Sequence, residues 1–293
     1  MKPIFLLLLP LLFFLQAASA QRSDLRLERR VKEVLAGFRG DVGVYVKNLK
    51  NGRIVAIAAD TVFPTASMIK VPILVGVMDK IEQKELDYHG KIVYKDSLYY
   101  AGEDVLGSLK HGEAIELSKV MMLMLTLSDN TASLWLQGLA GGGQRINQLI
   151  DSLGLQHTRV NSRTPGREAN RTRYGWGQTT PREMATLLEK IYRGEVINHG
   201  ASNRMLRLLG RNHWDEEGLS ATPPTIEVFS KNGAVNASRS EVMLVNAPRR
   251  PYVFCIITKN NQDQRWDADN EAWQLTRRLS ALLWNYFEPR YRR

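Results

Sequence analysis

The chain has 293 residues and a formal net charge of +10 at pH 7, a length that suits one large domain or two interleaved lobes with an extensive core. The basic surface would favour anionic partners, but no Lys/Arg block is interleaved with aromatic residues, so we expect no nucleic-acid partner. Cys255 is the only cysteine and the five histidines show no metal-ligand spacing. These counts exclude an internal disulfide and disfavour a zinc enzyme, and we predict neither a metal nor a cofactor.

The first twenty residues have the composition of a secretory signal peptide. Lys2 supplies the positive start, residues 4–15 are almost unbroken apolar residues, and Ala18-Ser19-Ala20 is a small-x-small cleavage site. The apolar run, roughly a dozen residues, is too short for a membrane span. We expect cleavage after Ala20 and an exported protein, periplasmic or secreted.

The predicted elements begin with a helix over residues 23–38, where apolar residues follow one helical stripe. Residues 41–47 alternate as a strand, and the turn Asn51-Gly52 leads into a second strand at 53–58. The apolar stretch from Phe63 then opens a helix that continues to about residue 84.

The middle of the chain, to about residue 200, is predicted to be mainly helical. The apolar periodicity indicates helices at 115–127, 131–139, 145–153 and from Thr180-Pro181 onward. Residues 161–180 are polar and rich in turn-forming residues, so we expect a functional loop without regular structure there.

The C-terminal third returns to strands, at residues 225–235, 241–245 and 252–259, and a long amphipathic helix follows from Trp266. This order predicts an α+β fold in which terminal helices cover a five-stranded antiparallel sheet and a helical lobe is inserted.

We expect a single catalytic domain at 21–293. Its α/β lobe comprises 21–62 and 215–293, and its helical lobe comprises 63–214 with an omega-like loop at 161–180. The cleft between the lobes is the expected place for a site.

Ser67 and Lys70 form a Ser-x-x-Lys pair at the start of the second predicted helix. Residues i and i+3 share a helix face, so the amine can take the proton of the hydroxyl if burial or a neighbouring cation lowers its pKa. The motif occurs by chance about once in a chain of this length, so a helix start with a lysine that reaches solvent is the alternative.

Two further signals follow in order, Ser128-Asp129-Asn130 and Lys231-Asn232-Gly233. Ser-Asp-Asn is expected by chance in about one such chain in twenty. With these motifs at a helix start, an inter-helix loop and a strand, the chain resembles the class A β-lactamases and related penicillin-recognising serine hydrolases, whose motifs are S-x-x-K, S-D-N and K-T-G. The resemblance covers essentially the whole mature chain and includes residues 112–130 and Thr179-Thr180-Pro181.

The resemblance implies an acyl-enzyme mechanism. Ser67 would attack the β-lactam carbonyl, Lys70 would accept or relay its proton, and Ser128 would pass a proton to the leaving ring nitrogen. Asn130 would position the amide side chain of the substrate and Lys70, and Lys231 would hold the substrate carboxylate. Two lysines facing each other across a dry cleft would also lower each other's pKa.

The resemblance also implies supporting contacts. The backbone N–H groups of Ser67 and Ala234 would form the oxyanion hole, in which one donor typically contributes about 2.7–4 kcal/mol of transition-state stabilisation. Arg239 would be a second carboxylate anchor, with a surface arginine as the alternative. Tyr100 would line the cleft edge, with ordinary packing as the alternative.

The chain departs from the family pattern at three places. Asn232 replaces the threonine of K-T-G, and Gln178 stands where a loop-closing aspartate is expected. If Asn170 is the family asparagine, the position of the deacylating glutamate falls on Gly166. Glu168 is the only carboxylate in the loop and is the candidate base, with a solvated glutamate among arginines as the alternative.

We therefore predict an exported class A-like serine β-lactamase, a monomer acting on small β-lactam or acyl-D-alanyl-like molecules. The first alternative is a penicillin-binding, D-alanyl-peptidase or esterase relative with poor deacylation. The second is a non-catalytic envelope binding protein.

Overall fold

A computed structural model describes residues 22–291; the predicted signal peptide and its cleavage site lie outside this range. The helices are α1 (Leu25–Leu35), α2 (Lys70–Glu82), α3 (Leu117–Met122), α4 (Asn130–Leu139), α5 (Gly142–Ser152), α6 (Glu168–Tyr174), α7 (Pro181–Tyr192), α8 (His199–Leu209) and α9 (Glu271–Phe287). No helix in this part of the chain is long and apolar enough to cross a bilayer.

The main sheet confirms the predicted five antiparallel strands, in the order β2-β1-β10-β9-β8. Its strands are β1 (Asp41–Asn48), β2 (Ile54–Ile57), β8 (Val228–Val235), β9 (Ser238–Val245) and β10 (Tyr252–Lys259). The short strands elsewhere are β3 (Phe63–Pro64), β4 (Lys91–Val93), β5 (Ala114–Glu116), β6 (Arg159–Val160) and β7 (Gly177–Thr179).

The sheet is covered on both faces, which explains why β10 is an unbroken apolar run rather than an alternating one. Phe254 and Ile256 face a core shared with α1 and α9. Val253, Cys255 and Ile257 face the larger core built with the helical lobe. Cys255 is fully buried, as predicted.

Helix α2 runs through the centre of the helical lobe. Its residues from Lys70 to Met78 are all buried, so its apolar side chains pack on every side, and its N-terminus lies where the lobe meets the sheet. Ser240 Oγ on β9 donates to Thr65 O at 2.9 Å just before this helix. The sheet and the helix start are therefore fixed against each other.

Four predicted elements differ from the structure. The helix predicted to open at Phe63 is preceded by β3 and a 3₁₀ turn, and α2 begins at Lys70. The predicted helix 115–127 is divided into β5, α3 and a π-helical turn, Leu123–Leu127. Residues 161–180 are not without structure, because α6 and β7 form within them. The last helix begins at Glu271, where the Asn270 side chain caps the free N–H groups, and not near Trp266.

Candidate active site

Ser67 lies in a 3₁₀ turn, Ala66–Ile69, directly before α2. The turn begins with Ala66 at φ 44°, a left-handed conformation that non-glycine residues rarely adopt. Lys70 is the first residue of α2, and its Nζ lies 3.0 Å from Ser67 Oγ. The one-turn spacing expected from the sequence thus brings the hydroxyl and the amine into hydrogen-bond contact.

The Lys70 amine is fully buried and surrounded by oxygen atoms. It lies 3.0 Å from Ser67 Oγ, Ser128 Oγ and Asn130 Oδ1, and it also donates to Ser128 O. Burial, followed by the positive charge of Lys231, lowers the pKa of Lys70 well below its usual value. An uncharged amine has a lone pair, so Lys70 can accept the proton of Ser67.

Ser128 ends the π-helical turn with φ 63°, again left-handed. This conformation turns the chain so that the serine side chain and carbonyl both reach Lys70. The next residue, Asp129, caps α4 by accepting from Ala132 N and also accepts from Val105 N and Leu106 N. The middle residue of Ser-Asp-Asn therefore has a structural role here, since it secures the loop that faces the nucleophile.

Lys231 is fully buried in β8, and its Nζ donates to O and Oδ1 of Asn232 at 2.9 and 3.1 Å. Burial lowers the pKa of Lys231 to about 8, while the charges of Glu241, Glu103 and Glu217 oppose this shift. At pH 7 Lys231 is therefore mainly charged, which suits it to anion binding. The lowered pKa of Lys70 favours its uncharged form, which suits it to proton transfer.

Gly233 allows β8 to approach the nucleophile. A Cβ at this position would lie 2.6 Å from Ser67 N and 2.8 Å from Thr65 O. Both are backbone atoms, which cannot rotate away as a flexible side chain could. Glycine is thus required for the contact that places Ala234 beside Ser67.

Two cavities meet at Ser67. The loop arm, about 600 Å³, lies against the omega-like loop and is lined by Tyr100, Asn130, Arg173, Trp176 and Lys259, among others. The tryptophan arm, about 260 Å³, is lined by Ser128, Asn232, Trp214, Trp266 and Trp273, among others. Ser67, Glu103 and Ala234 line both arms. A larger cavity of about 1010 Å³ between α8 and the edge of β8 contains none of the motif residues.

Glu103 was not found by sequence reasoning. Its carbonyl accepts from Asn130 N at 2.8 Å, which brings it to the site from a separate loop. Its negative charge raises the pKa of both Lys70 and Lys231 against the larger effect of burial. No local motif marks this residue, because its position depends on a contact made only in the folded chain.

Tyr100 lies in the wall of the loop arm, at the predicted cleft edge. Its ring makes an edge-to-face contact with Trp176, with the centroids 5.0 Å apart. Its backbone N–H donates to Thr131 Oγ1. Trp176, which sequence reasoning did not single out, thus belongs to the same aromatic wall as Tyr100.

Arg239 is not a surface arginine, and it lines neither arm. It is 1% exposed and its guanidinium donates to the carbonyls of Val235, Asn236, Ser238 and Arg265. Its Cζ lies 4.4 and 4.7 Å from the ring centroids of Trp266 and Trp273. These contacts occupy the guanidinium in holding the β8–β9 turn and the loop before α9.

The omega-like loop does not place Glu168 in the cleft. Glu168 is exposed and its Oε1 accepts from Gly166 N at 3.1 Å. It lines a separate depression with Asn161 and Arg171, and Ser67 is not part of that depression. The predicted base therefore lines neither of the two arms that meet at Ser67.

Gln178 closes the base of this loop. Its Oε1 accepts from Arg167 Nη2 at 2.7 Å and from Asn170 Nδ2 at 2.9 Å. A neutral amide thus takes the place of the expected carboxylate. Within residues 22–291, no group of His, Cys, Asp and Glu could hold a metal ion.

Comparison with known proteins gives a consistent result. A family model described as "Beta-lactamase enzyme family" matches residues 26–287. β-Lactamase ROB-1 of Haemophilus influenzae is 24% identical over 251 residues, covering 83% of this chain and 81% of its own. SME-1 of Serratia marcescens is 23% identical over 264 residues, covering 85% and 87%.

Solved structures share the fold. PBP-A superposes with a TM-score of 0.80 and 24% identity, covering 92% of this chain and 98% of PBP-A. The extended-spectrum β-lactamase TLA-3 superposes with a TM-score of 0.79 and 17% identity, covering 89% and 98%. The predicted α+β architecture is therefore confirmed.

Proposed function

Because the chain belongs to the beta-lactamase enzyme family, we propose that it is a serine β-lactamase that opens β-lactam rings through an acyl-enzyme at Ser67. The observation that carries this proposal is the buried amine of Lys70, which lies 3.0 Å from Ser67 Oγ and has a lowered pKa. This arrangement activates a hydroxyl that is otherwise a weak nucleophile.

Acylation requires proton transfers that the site can balance. Lys70 Nζ takes the proton of Ser67, and Ser67 Oγ forms a bond to the ring carbonyl carbon. The N–H groups of Ser67 and Ala234 stabilise the resulting oxyanion. The ring C–N bond then breaks while Ser128 donates its proton to the nitrogen and regains one from Lys70, 3.0 Å away. Lys70 is uncharged again at the end of this step.

The substrate is held by the remaining motif residues. Lys231, charged at pH 7, attracts the substrate carboxylate, and the amide of Asn232 beside it offers hydrogen-bond donors in place of a hydroxyl. Asn130 accepts a hydrogen bond from Lys70 and would also bond the amide of the acyl side chain. Arg239 is not included, since its guanidinium is engaged with backbone carbonyls.

A second candidate function is acylation with slow release, as in a penicillin-binding protein or a D-alanyl-peptide hydrolase. The observation that favours it is the position of Glu168, whose carboxylate accepts from Gly166 N and lies outside both arms. Water must attack the ester for release, and a general base typically contributes about 10²- to 10⁴-fold to such a step.

We further propose that the chain acts as one exported, monomeric domain on small molecules. Residues 1–20 support export by their composition. Helix α7, which falls in the predicted helical lobe, packs on β1, β9 and β10. This contact supports treating the two lobes as one domain.

The test is the product stoichiometry with a chromogenic β-lactam, using the chain without residues 1–20. Many turnovers that disappear in Ser67→Ala support hydrolysis. A burst of about one equivalent that then stops, with an adduct on Ser67 by mass spectrometry, supports the second candidate. If there is no burst and no adduct, both catalytic candidates are contradicted. A non-catalytic binding protein then remains.

A further inference from the structure

The loop arm contains two cations that have no carboxylate partner. Arg173 of α6 and Lys259 of β10 both line it, and neither forms an ion pair with any described residue. The Arg173 guanidinium lies over the Tyr174 ring at 5.1 Å. The Lys259 amine donates to Val62 O at 3.3 Å. Lys259 Nζ also lies 4.7 Å from the centroid of the Phe63 ring. Neither positive charge is therefore neutralised by a carboxylate of the described residues.

Carboxylates are placed elsewhere around the cleft. Among residues 22–291, Glu103 is the only acid that lines the loop arm, and it lies at the junction because it lines the tryptophan arm as well. Asp41, paired with Lys259 in the sheet, accepts from Asn260 Nδ2 at 2.8 Å. In contrast, the tryptophan arm contains Glu216, Glu217 and Asp267 against one arginine. Only the loop arm presents net positive charge.

The remaining lining of the loop arm is aromatic. Tyr100 and Trp176 form an edge-to-face pair, and Tyr174 lies beside them. A volume of about 600 Å³ is within the range of pockets that bind drug-sized molecules, in which apolar walls supply affinity and a few polar groups fix orientation. Aromatic walls with two cations that lack a carboxylate partner suit a group that is both aromatic and anionic.

We infer that the loop arm is a subsite for acyl side chains that carry a carboxylate, held by Arg173 and Lys259 against the aromatic wall. This inference rests on the proposed function, since it concerns the acyl group transferred to Ser67. Asn130, which lines the same arm and bonds Lys70, would direct the amide of that acyl group into it. The arrangement would select substrates by the charge of their acyl side chain, which lies apart from the reacting atoms.

Two penicillins that differ by one carboxylate test the inference: benzylpenicillin and its α-carboxy analogue. We would measure the second-order rate constant for acylation of Ser67 with each and take the ratio, carboxylated over neutral. Arg173→Gln should lower this ratio about two- to five-fold, the range of a partly exposed ion pair, and Arg173→Glu should lower it further. Raising the salt concentration should lower the wild-type ratio, because exposed charges are screened.

Arg171→Gln is the matched control. Arg171 lies on the same helix as Arg173 but lines the separate depression that contains Glu168 and not Ser67. Its ratio should equal that of the wild type. The inference is overturned if Arg173→Gln leaves the ratio unchanged, or if Arg171→Gln lowers it equally. Absence of acylation by either penicillin would instead refute the proposed function, so the two failures are distinguishable.

Discussion

The acylation centre and the omega-like loop are built in opposite ways. Lys70 and Lys231 are fully buried, and each amine has oxygen partners within 3.1 Å. The loop carries an exposed Glu168, whose carboxylate accepts from the backbone N–H of Gly166 in the same loop. The neutral side chain of Gln178 closes the base of the loop. The first half of the reaction thus has a rigid, desolvated proton relay, whereas Glu168, the only carboxylate of the loop, lines neither arm at Ser67.

This difference shows which half of the reaction depends on burial. A lysine can act as a base near neutral pH only if desolvation makes its charged form costly. The same burial makes the centre intolerant of substitution. Each buried donor or acceptor that loses its partner lowers the free energy of unfolding by about 1–3 kcal/mol. Helix α6 of the loop has no buried residue and lacks that constraint, so its sequence can vary while the fold is kept.

Removal of the relay should have the largest effect. In Lys70→Ala, Ser67 loses its proton acceptor, so acylation by a β-lactam should fall by about 10³-fold or more. The measurement is the rate of Ser67 adduct formation by mass spectrometry. A circular-dichroism spectrum and a thermal midpoint must show that the variant is folded, and acylation at near wild-type rate would contradict the relay.

Gly233→Ala should have the second-largest effect on acylation. Its Cβ would lie 2.6 Å from Ser67 N, so β8 or the nucleophile turn must shift, and a shift of about 1 Å can cost about 10²-fold in rate. Gly138→Ala, in α4 with nothing near its Cβ, is the control and should stabilise the fold by about 0.5–1 kcal/mol. Equal activity of the two variants would show that this close approach is not needed.

The contrast between centre and loop also explains what the sequence predicted. Ser67, Lys70, Ser128 and Lys231 were identified because their three motifs occur in the order and at the intervals of the family that the chain resembles. The five strands follow from alternating or apolar runs. The sequence did not predict α6, since its seven residues have no buried stripe. Glu103 could not be found either, because it reaches the site through a tertiary backbone contact.

Glu103→Gln should change the pH dependence of acylation. Lys70 must be uncharged and Lys231 charged, so acylation should rise with pH through the lowered pKa of Lys70 and fall again above about 8, the pKa of Lys231. The charge of Glu103 raises both pKa values, so its removal should move both limbs of the profile to lower pH. Glu168→Gln, outside the cleft, should move neither limb; a shift in that variant would place Glu168 near the lysines.

Gln178→Glu should give the smallest effect, on stability. The new carboxylate would accept from Arg167 Nη2 and Asn170 Nδ2, which already point at Oε1, so we expect a gain of about 1 kcal/mol in the free energy of unfolding. Pairing lowers the folded pKa of Glu below its unfolded value of about 4.3, so the gain is present above that pH and is lost as pH falls through the folded pKa. Urea unfolding at pH 7 and pH 3 measures this difference in the free energy of unfolding.

The control is Gln156→Glu, which adds the same charge at an exposed position and should raise the free energy of unfolding little. An equal gain in both variants would mean that net charge, not the loop closure, is responsible.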